Sequence, residues 1–241
     1  MAQLSGAEIL GVWERGATQD WVNRGLTLLA AASPDARDEL AALTIGTRDA
    51  RLFQLRAQLF GYRLPCFAEC RTCAAPLQFD LDARQFCQPP VLDDLSLFHV
   101  TTDEFRVRFR PLNSEDLAAA SACGAILSMR RTLIERCIVE VVRDGRTADA
   151  DSLPRGVIEE IGDRMAQSDA AELMLDLQCA ACGQSWREPF DILSFLWTEI
   201  ARSAKGLLQE VHTLAWAYGW SEAEILAMSP VRRRVYLEWV Q

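Results

Sequence analysis

Two short stretches, Cys70-Arg71-Thr72-Cys73 and Cys179-Ala180-Ala181-Cys182, constrain the fold of this chain more than any other feature. Thiolates three positions apart on a tight turn can face one cation. Two such turns supply the four sulfurs of a closed tetrahedral site. Gly183 follows the second pair, and without a Cβ it accepts the left-handed backbone that turns amides back toward sulfur. Ala74 holds the equivalent place in the first turn and suits it less well. Each pair leads into a strand-like segment, as zinc-ribbon turns do. The spacing therefore predicts one structural zinc ion held by Cys70, Cys73, Cys179 and Cys182. The 105 residues between Cys73 and Cys179 must then leave the site and return to it. Two other uses of the thiols compete with this one, as reduced buried side chains or as redox pairs. Thioredoxin-like pairs sit where a strand enters a helix, whereas the second pair here lies between two strand-like segments. Cys66, four residues before Cys70, is a bystander or a substitute ligand. Cys87, Cys123 and Cys137 read as core or partly buried thiols.

Around these turns the hydrophobic pattern changes period. Before residue 61 it is helical: Ile9, Leu10 and Trp13 share a face behind a Ser5 cap, Ser33 and Pro34 signal a helix start, and Leu52, Leu55 and Leu59 lead to Gly61 as a stop. Leu77, Phe79 and Leu81 then alternate with polar residues, as do Phe105, Val107 and Phe109, which predicts strands. The stretch from Asn113 through Val141 reads as helix capped by Asn113 or Ser114. Arg143 to Pro154 reads as loop, and Arg155 to about Ala166 as a short helix. Leu173, Leu175 and Leu177 run into the second cysteine turn, and Trp186 to Phe190 return from it. Beyond Asp191 the chain is helical and strongly apolar, with a capping box at Ser221 and Glu224 and a further start at Ser229 and Pro230. The expected fold is α+β and mainly helical, with small zinc-ribbon-like β hairpins, a helical insertion, and helical regions at both ends. Three regions follow: 1–63 helical, 64–190 with the β hairpins and an insertion over about 113–167, and 191–241 helical.

The chain has 241 residues and a net charge of −9, with nearly all the acidic excess between residues 66 and 190. No broad basic face is left for a phosphate backbone, so nucleic acid is not an expected partner. Val231 to Val235, with three arginines in the middle, reads as a basic helix surface. No apolar run reaches the length of a membrane span, and the first residues lack the pattern of a secretory signal. The expected location is the reducing cytoplasm, where eight cysteines stay free of disulfides. No phosphate loop, nucleophile elbow or zinc-protease motif occurs. His99 and His212 lack evident partners, and Glu159 and Glu160 read as a solvated helix face. The chain is therefore expected not to be an enzyme. Seven tryptophans are many for this length. Most are expected in the core and some at a protein interface, where tryptophan is favoured.

Several blocks in order carry a resemblance: Ile9 to Gly16, Leu43 to Gly61, the two cysteine turns, and Phe190 to Val240. Together they resemble the baseplate hub assembly chaperone family of T4-like contractile phage tails, with similar proteins in phage-derived contractile injection systems. The resemblance implies a non-catalytic assembly factor acting by protein–protein binding, with baseplate hub or spike subunits as partners, inside a bacterial host cell or associated with a baseplate. A permanent structural component of the baseplate is the alternative within the same setting, and a zinc-ribbon nucleic-acid-binding regulator the alternative outside it. The family's best-marked positions fall on Trp13, Glu14, Arg15, Gly46, Arg48, Asp49, the four cysteines, Phe190, Asp191, Trp197, Glu199, Glu210, His212, Tyr218, Gly219 and Trp220. The family's turns often carry proline where this chain has Arg71 and Ala180.

Overall fold

The computed structural model describes residues 4–89, 97–168 and 173–240. In chain order the first half runs α1 (Gly6–Ala17), α2 (Trp21–Ala32), α3 (Arg37–Ala42), α4 (Ile45–Phe60), β1 (Arg63–Glu69), β2 (Pro76–Asp82), β3 (Phe98–Thr101), β4 (Phe105–Phe109) and α5 (Ser114–Ser121). The second runs α6 (Ile126–Cys137), β5 (Ile138–Arg143), β6 (Arg146–Thr147), α7 (Arg155–Ser168), β7 (Leu173–Gln178), β8 (Ser185–Phe190), α8 (Ile192–Tyr218), α9 (Glu222–Ala227) and α10 (Pro230–Trp239). The fold is α+β and mainly helical, with small antiparallel hairpins and terminal helices. The chain divides into two compact units, one from the described parts of Met1–Pro34 and Ile192–Gln241, the other from Asp35–Asp191. Among the described residues no helix is long and apolar enough to cross a membrane.

The helical unit is built on α8. Ile192, Leu193, Leu196, Ile200, Ala204, Leu207, Val211 and Leu214 are buried along it at spacings of one, three or four, the stripe of a helix that packs on one side. Leu10 of α1 meets Ala204 and Leu207. Val211 and Leu214 meet Ile225 of α9, with Tyr218, Trp220 and Tyr236 packed around them. The caps follow the sequence. Ser5 and Glu8 form a capping box, as do Ser221 and Glu224, and Ser229 precedes Pro230 at the first turn of α10. The Arg24 guanidinium closes the end of α1, its Nε donating to Gly16 O at 2.9 Å, and lies 4.9 Å over the Trp197 ring. The same ring leaves no room for a side chain at Gly16, because an added Cβ would fall inside its van der Waals surface. Gly16→Ala is therefore expected to destabilise this unit by about 1–3 kcal/mol through overpacking, measured by denaturant unfolding. Gly11→Ala, which would meet only the mobile tip of Arg15, is the control.

In the second unit a four-stranded antiparallel sheet has the order β3-β4-β5-β6. Phe105, Val107 and Phe109 point from β4 into a core completed by Val100, Val141 and by Val157, Ile161 and Met165 of α7. The alternation in β4 was legible; the strand beside it was not. Residues 138–143 form β5 rather than a continuation of the helix from Asn113, and the helix itself breaks between Ser121 and Ile126. The β-branched run Ile138, Val139, Val141 and Val142 suits a pleated surface, and β5 pairs with β4, with Val107 opposite Val141. The supposed loop after Arg143 begins as a tight hairpin. Asp144 and Gly145 both have positive φ, 50° and 76°, as a two-residue primed turn requires, and Arg143 pairs with Arg146.

Two further expectations are corrected. Helix α3 starts at Arg37 and not at Pro34: Ser33 is extended and ends α2, Asp35 pairs with Arg51 at 2.5 Å, and Glu39 caps the Ala36 amide. Among the seven tryptophans none is fully buried. Trp21, Trp216 and Trp239 are exposed at 44%, 88% and 69%, and the other four are half-buried.

The two cysteine-bearing hairpins belong to this second unit. β1 pairs with β2 from Arg63 opposite Asp82 to Glu69 opposite Pro76. β7 pairs with β8 from Leu173 opposite Phe190 to Gln178 opposite Ser185. Helix α4 holds both at their bases. The Phe53 ring lies 5.0 Å from Phe86, just past β2, and 6.1 Å from Phe190 at the end of β8. Gln54 Nε2 donates to Cys87 O at 2.6 Å.

Candidate metal centre

At the tips of the hairpins the two turns repeat one geometry. The Cys70 amide donates to Ala75 O at 3.0 Å and the Ala74 amide to Cys70 O at 2.9 Å. In the second turn the Cys179 amide donates to Gln184 O at 2.8 Å and the Gly183 amide to Cys179 O at 2.9 Å. Ala74 and Gly183 occupy matching places with φ of 56° and 74°. The left-handed residue lets amides of the turn face the sulfurs: those of Thr72 and Cys73 reach Cys70, that of Ala75 reaches Cys73, and that of Gln184 reaches Cys182. A non-glycine residue costs about 1–2 kcal/mol in this region. Opposite signs are therefore expected from two substitutions: Gly183→Ala lowers stability by about 1 kcal/mol, and Ala74→Gly raises it by a few tenths after the entropy cost of glycine. Paired thermal melts check this.

The turns bring the four predicted ligands together. All four Sγ atoms lie within 4.8 Å of one another, with Cys70 to Cys182 at 3.7 Å and Cys73 to Cys179 at 3.6 Å. These separations are far beyond a disulfide, about 2.05 Å. They match the edge of a tetrahedron around a metal with bonds of about 2.3 Å, roughly 3.8 Å. Cys70 and Cys179 are buried at 2% and 1% exposure, while Cys73 and Cys182 face out. Cys66 is not in the cluster. It sits on β1 opposite Phe79, with its thiol toward Leu64 O. Cys87 and Cys123 are half-buried and Cys137 is buried.

The electrostatics fit a cation as well. The amides of Cys73 and Thr72, with the neighbouring thiols, bring Cys70 down to about 6. At Cys73 the Ala75 amide favours the thiolate, but sharing with Cys182 and Cys179 and burial outweigh it and push the thiol up to about 12. Four thiols this close give up their protons in coupled steps. A bound dication removes the repulsion that stops the last ones from leaving. A redox pair needs two sulfurs, whereas here four converge on one point, the donor set of a closed metal site. The four cysteines can hold a metal ion.

Beside the sulfurs one ion pair joins the hairpins. Arg71 Nη2 from the first turn donates to Glu188 Oε2 on β8 at 2.8 Å, and Trp186 Nε1 donates to the same oxygen at 3.0 Å. Arg71, then Trp186, hold the Glu188 carboxyl below its usual range. Arg71 stands where the resembling family often has proline, and in this chain that position carries a charge that reaches the other hairpin. Nothing in the sequence signalled the pair, whose members lie 117 positions apart. Other positions singled out in the sequence, by the resemblance or as possible chemistry, fall elsewhere. Arg48 and Asp49 pair on α4 at 2.7 Å. Glu210 accepts from a buried Arg233 in the helical unit. His99 and His212 are both exposed. Glu159 and Glu160 pair with Arg155 and Arg164 along α7.

The family described as T4 bacteriophage base plate protein matches residues 20–197 of this chain, a span that contains all four clustered cysteines. No curated protein and no solved structure matches it.

Proposed function

The chain belongs to the T4 bacteriophage base plate protein family, and on that premise we propose that it is a non-catalytic assembly factor, a chaperone for the baseplate hub of a contractile phage tail or contractile injection system. It acts by binding hub or spike subunits in the host cytoplasm. Its Cys70, Cys73, Cys179 and Cys182 hold one structural zinc ion. Zinc is the favoured metal because four thiolates in a tetrahedron suit it and leave no open coordination position for catalysis. When bound it supplies a cross-link between hairpins that lie a hundred residues apart in sequence. The residues do the rest: turn amides hold the thiolates, and Arg71 reaches across from the first tip to Glu188, whose carboxylate Trp186 orients on its own strand.

The observation that carries the reading is the family match over most of the chain, supported by four cysteines that converge where one metal ion could be held. The test is an affinity pull-down of the tagged chain from cells expressing the surrounding baseplate proteins, read by mass spectrometry beside purified finished particles. Hub or spike subunits in the pull-down, with this chain absent from particles, are expected. Its presence in particles at a fixed ratio makes it a permanent baseplate component. Absence of baseplate subunits from the pull-down contradicts both.

A further inference from the structure

Helix α10 has one face fixed by packing. Arg233, only 4% exposed, donates from Nε to Glu210 Oε2 at 2.9 Å and from Nη1 to Met228 O at 2.8 Å. Tyr236 stands edge-on to Trp220 at 4.8 Å and to Tyr218 at 5.6 Å, and Leu237 packs on the same cluster. At 3.6 residues per turn the opposite face then carries Val231, Val235 and Trp239, four positions apart and in one line. They are 74%, 40% and 69% exposed. Arg232 borders this line on one side and Arg234 on the other. Neither has a carboxylate partner among the described residues; Arg232 lies over the Tyr236 ring at 5.6 Å.

We propose that this face is a docking surface for an acidic amphipathic segment of a partner protein. The segment's apolar side chains lie along Val231, Val235 and Trp239, and its carboxylates meet Arg232 and Arg234. Charge selects this occupant. A second copy of the chain, paired about a two-fold axis through the same patch, would set arginine against arginine. A nucleic acid needs a continuous basic track, and here the middle arginine is turned inward while an apolar ridge separates the other two. In a chain of net charge −9 this ridge is a local basic and apolar exception, and it favours a partner segment whose charge is opposite to its own. Three side chains do not cover a standard interface; they serve as its anchors, with tryptophan the type most often found there. The inference rests on α10 alone and not on whether the chain leaves the finished particle.

The test uses the full-length protein with a photo-cross-linking phenylalanine analogue in place of Val235, mixed with the purified baseplate subunits encoded beside it. Cross-linked peptides are identified by mass spectrometry and affinities measured by titration. The expected cross-link falls on a segment of another subunit with apolar residues at helical spacing and carboxylates flanking them. Trp239→Ala removes an edge contact with the Tyr236 ring at 5.4 Å and is expected to weaken that complex about tenfold or more, whereas Tyr236→Phe, which keeps the ring contacts inside the protein, leaves it unchanged. Arg232→Glu combined with Arg234→Glu weakens it and flattens its salt dependence. Cross-links to a second copy, to added duplex DNA, or to a segment without acidic residues overturn the proposal. A complex with hub or spike subunits that is indifferent to Trp239→Ala overturns this surface and leaves the assembly reading standing. No complex with any baseplate subunit overturns both.

Discussion

Removing the proposed zinc ion from the four sulfurs is expected to unfold the two hairpins and to lower the melting temperature of the unit that carries them by well over 10 °C. The reason lies in how little else holds these strands. Of β1 only Leu64 is fully buried, and β2, β7 and β8 alternate between half-buried and exposed with no fully buried residue. Two-stranded hairpins of this kind are marginal in water. Their bases are pinned through Phe53, Phe86 and Phe190, but among the described residues the polar links between their tips are the sulfurs and the exposed Arg71–Glu188 pair, which contributes about 1 kcal/mol at most. A structural zinc site contributes roughly 10–16 kcal/mol in small zinc-dependent peptides, as much as the whole stability of an ordinary domain. Chelation, or Cys179→Ser with Cys182→Ser, should therefore abolish amide protection from Glu69 to Ala75 and from Gln178 to Ser185. Protection in β3, β4 and β5 should persist longer, since that sheet has its own core. Acid should act in the same direction, because protons compete with the metal for thiolates. Hydrogen exchange followed by mass spectrometry reads both regions at once, and unchanged protection of the tips after chelation would contradict the account.

The second large effect is expected at Asp116. Its carboxylate is fully buried at the start of α5 and takes a bidentate pair from Arg110, at 2.6 and 2.9 Å, with a further bond from Arg136 at 2.9 Å. It also accepts from the Asn113 amide at 3.1 Å, closing the capping box. This one side chain therefore ties together the end of β4, the start of α5 and the end of α6. Burial pushes the carboxyl up, but Arg110, the Asn113 amide and Arg136 outweigh it and hold it below the usual 3.8. A folded pKa below the unfolded one means stability that is present above about pH 4 and lost as pH falls through the folded value. Asp116→Asn should cost about 2–3 kcal/mol at neutral pH, at the lower end because both arginines are partly exposed and can rehydrate. The variant should also lose part of the acid limb of the stability–pH curve. A cost under about 0.5 kcal/mol, or an unchanged acid limb, would show that the arginines do not depend on this carboxylate.

The parts of the fold that could be read from sequence are those decided within a few residues. The two cysteine turns were legible because a spacing of three, with Gly183 behind it, is a local geometric statement. The caps at Ser5, Ser221 and Ser229 were legible for the same reason, and so was the alternation of Phe105, Val107 and Phe109. Misreadings occurred where a distant partner decides. The segment from Cys137 to Val142 is apolar enough to continue a helix, and only its pairing with β4 makes it a strand. The Asp144-Gly145 turn offered a local signal for that hairpin. Arg71 and Glu188 meet only because the two tips converge, and no reading of either stretch alone could place them together. The tryptophans mislead in another way: residue type predicts how much apolar area a side chain has to bury, not whether this chain or a partner buries it. Trp216 and Trp239 remain exposed.

The most direct test of the metal centre on which this account rests is native mass spectrometry of the full-length protein, purified without added metal or chelator. The expected result is one zinc ion per chain, with no disulfides, retained at neutral pH and lost in Cys70→Ser and in Cys179→Ser, with a shift toward higher charge states as the hairpins open. A wild-type chain without zinc, or a variant whose ion survives either substitution, would contradict it.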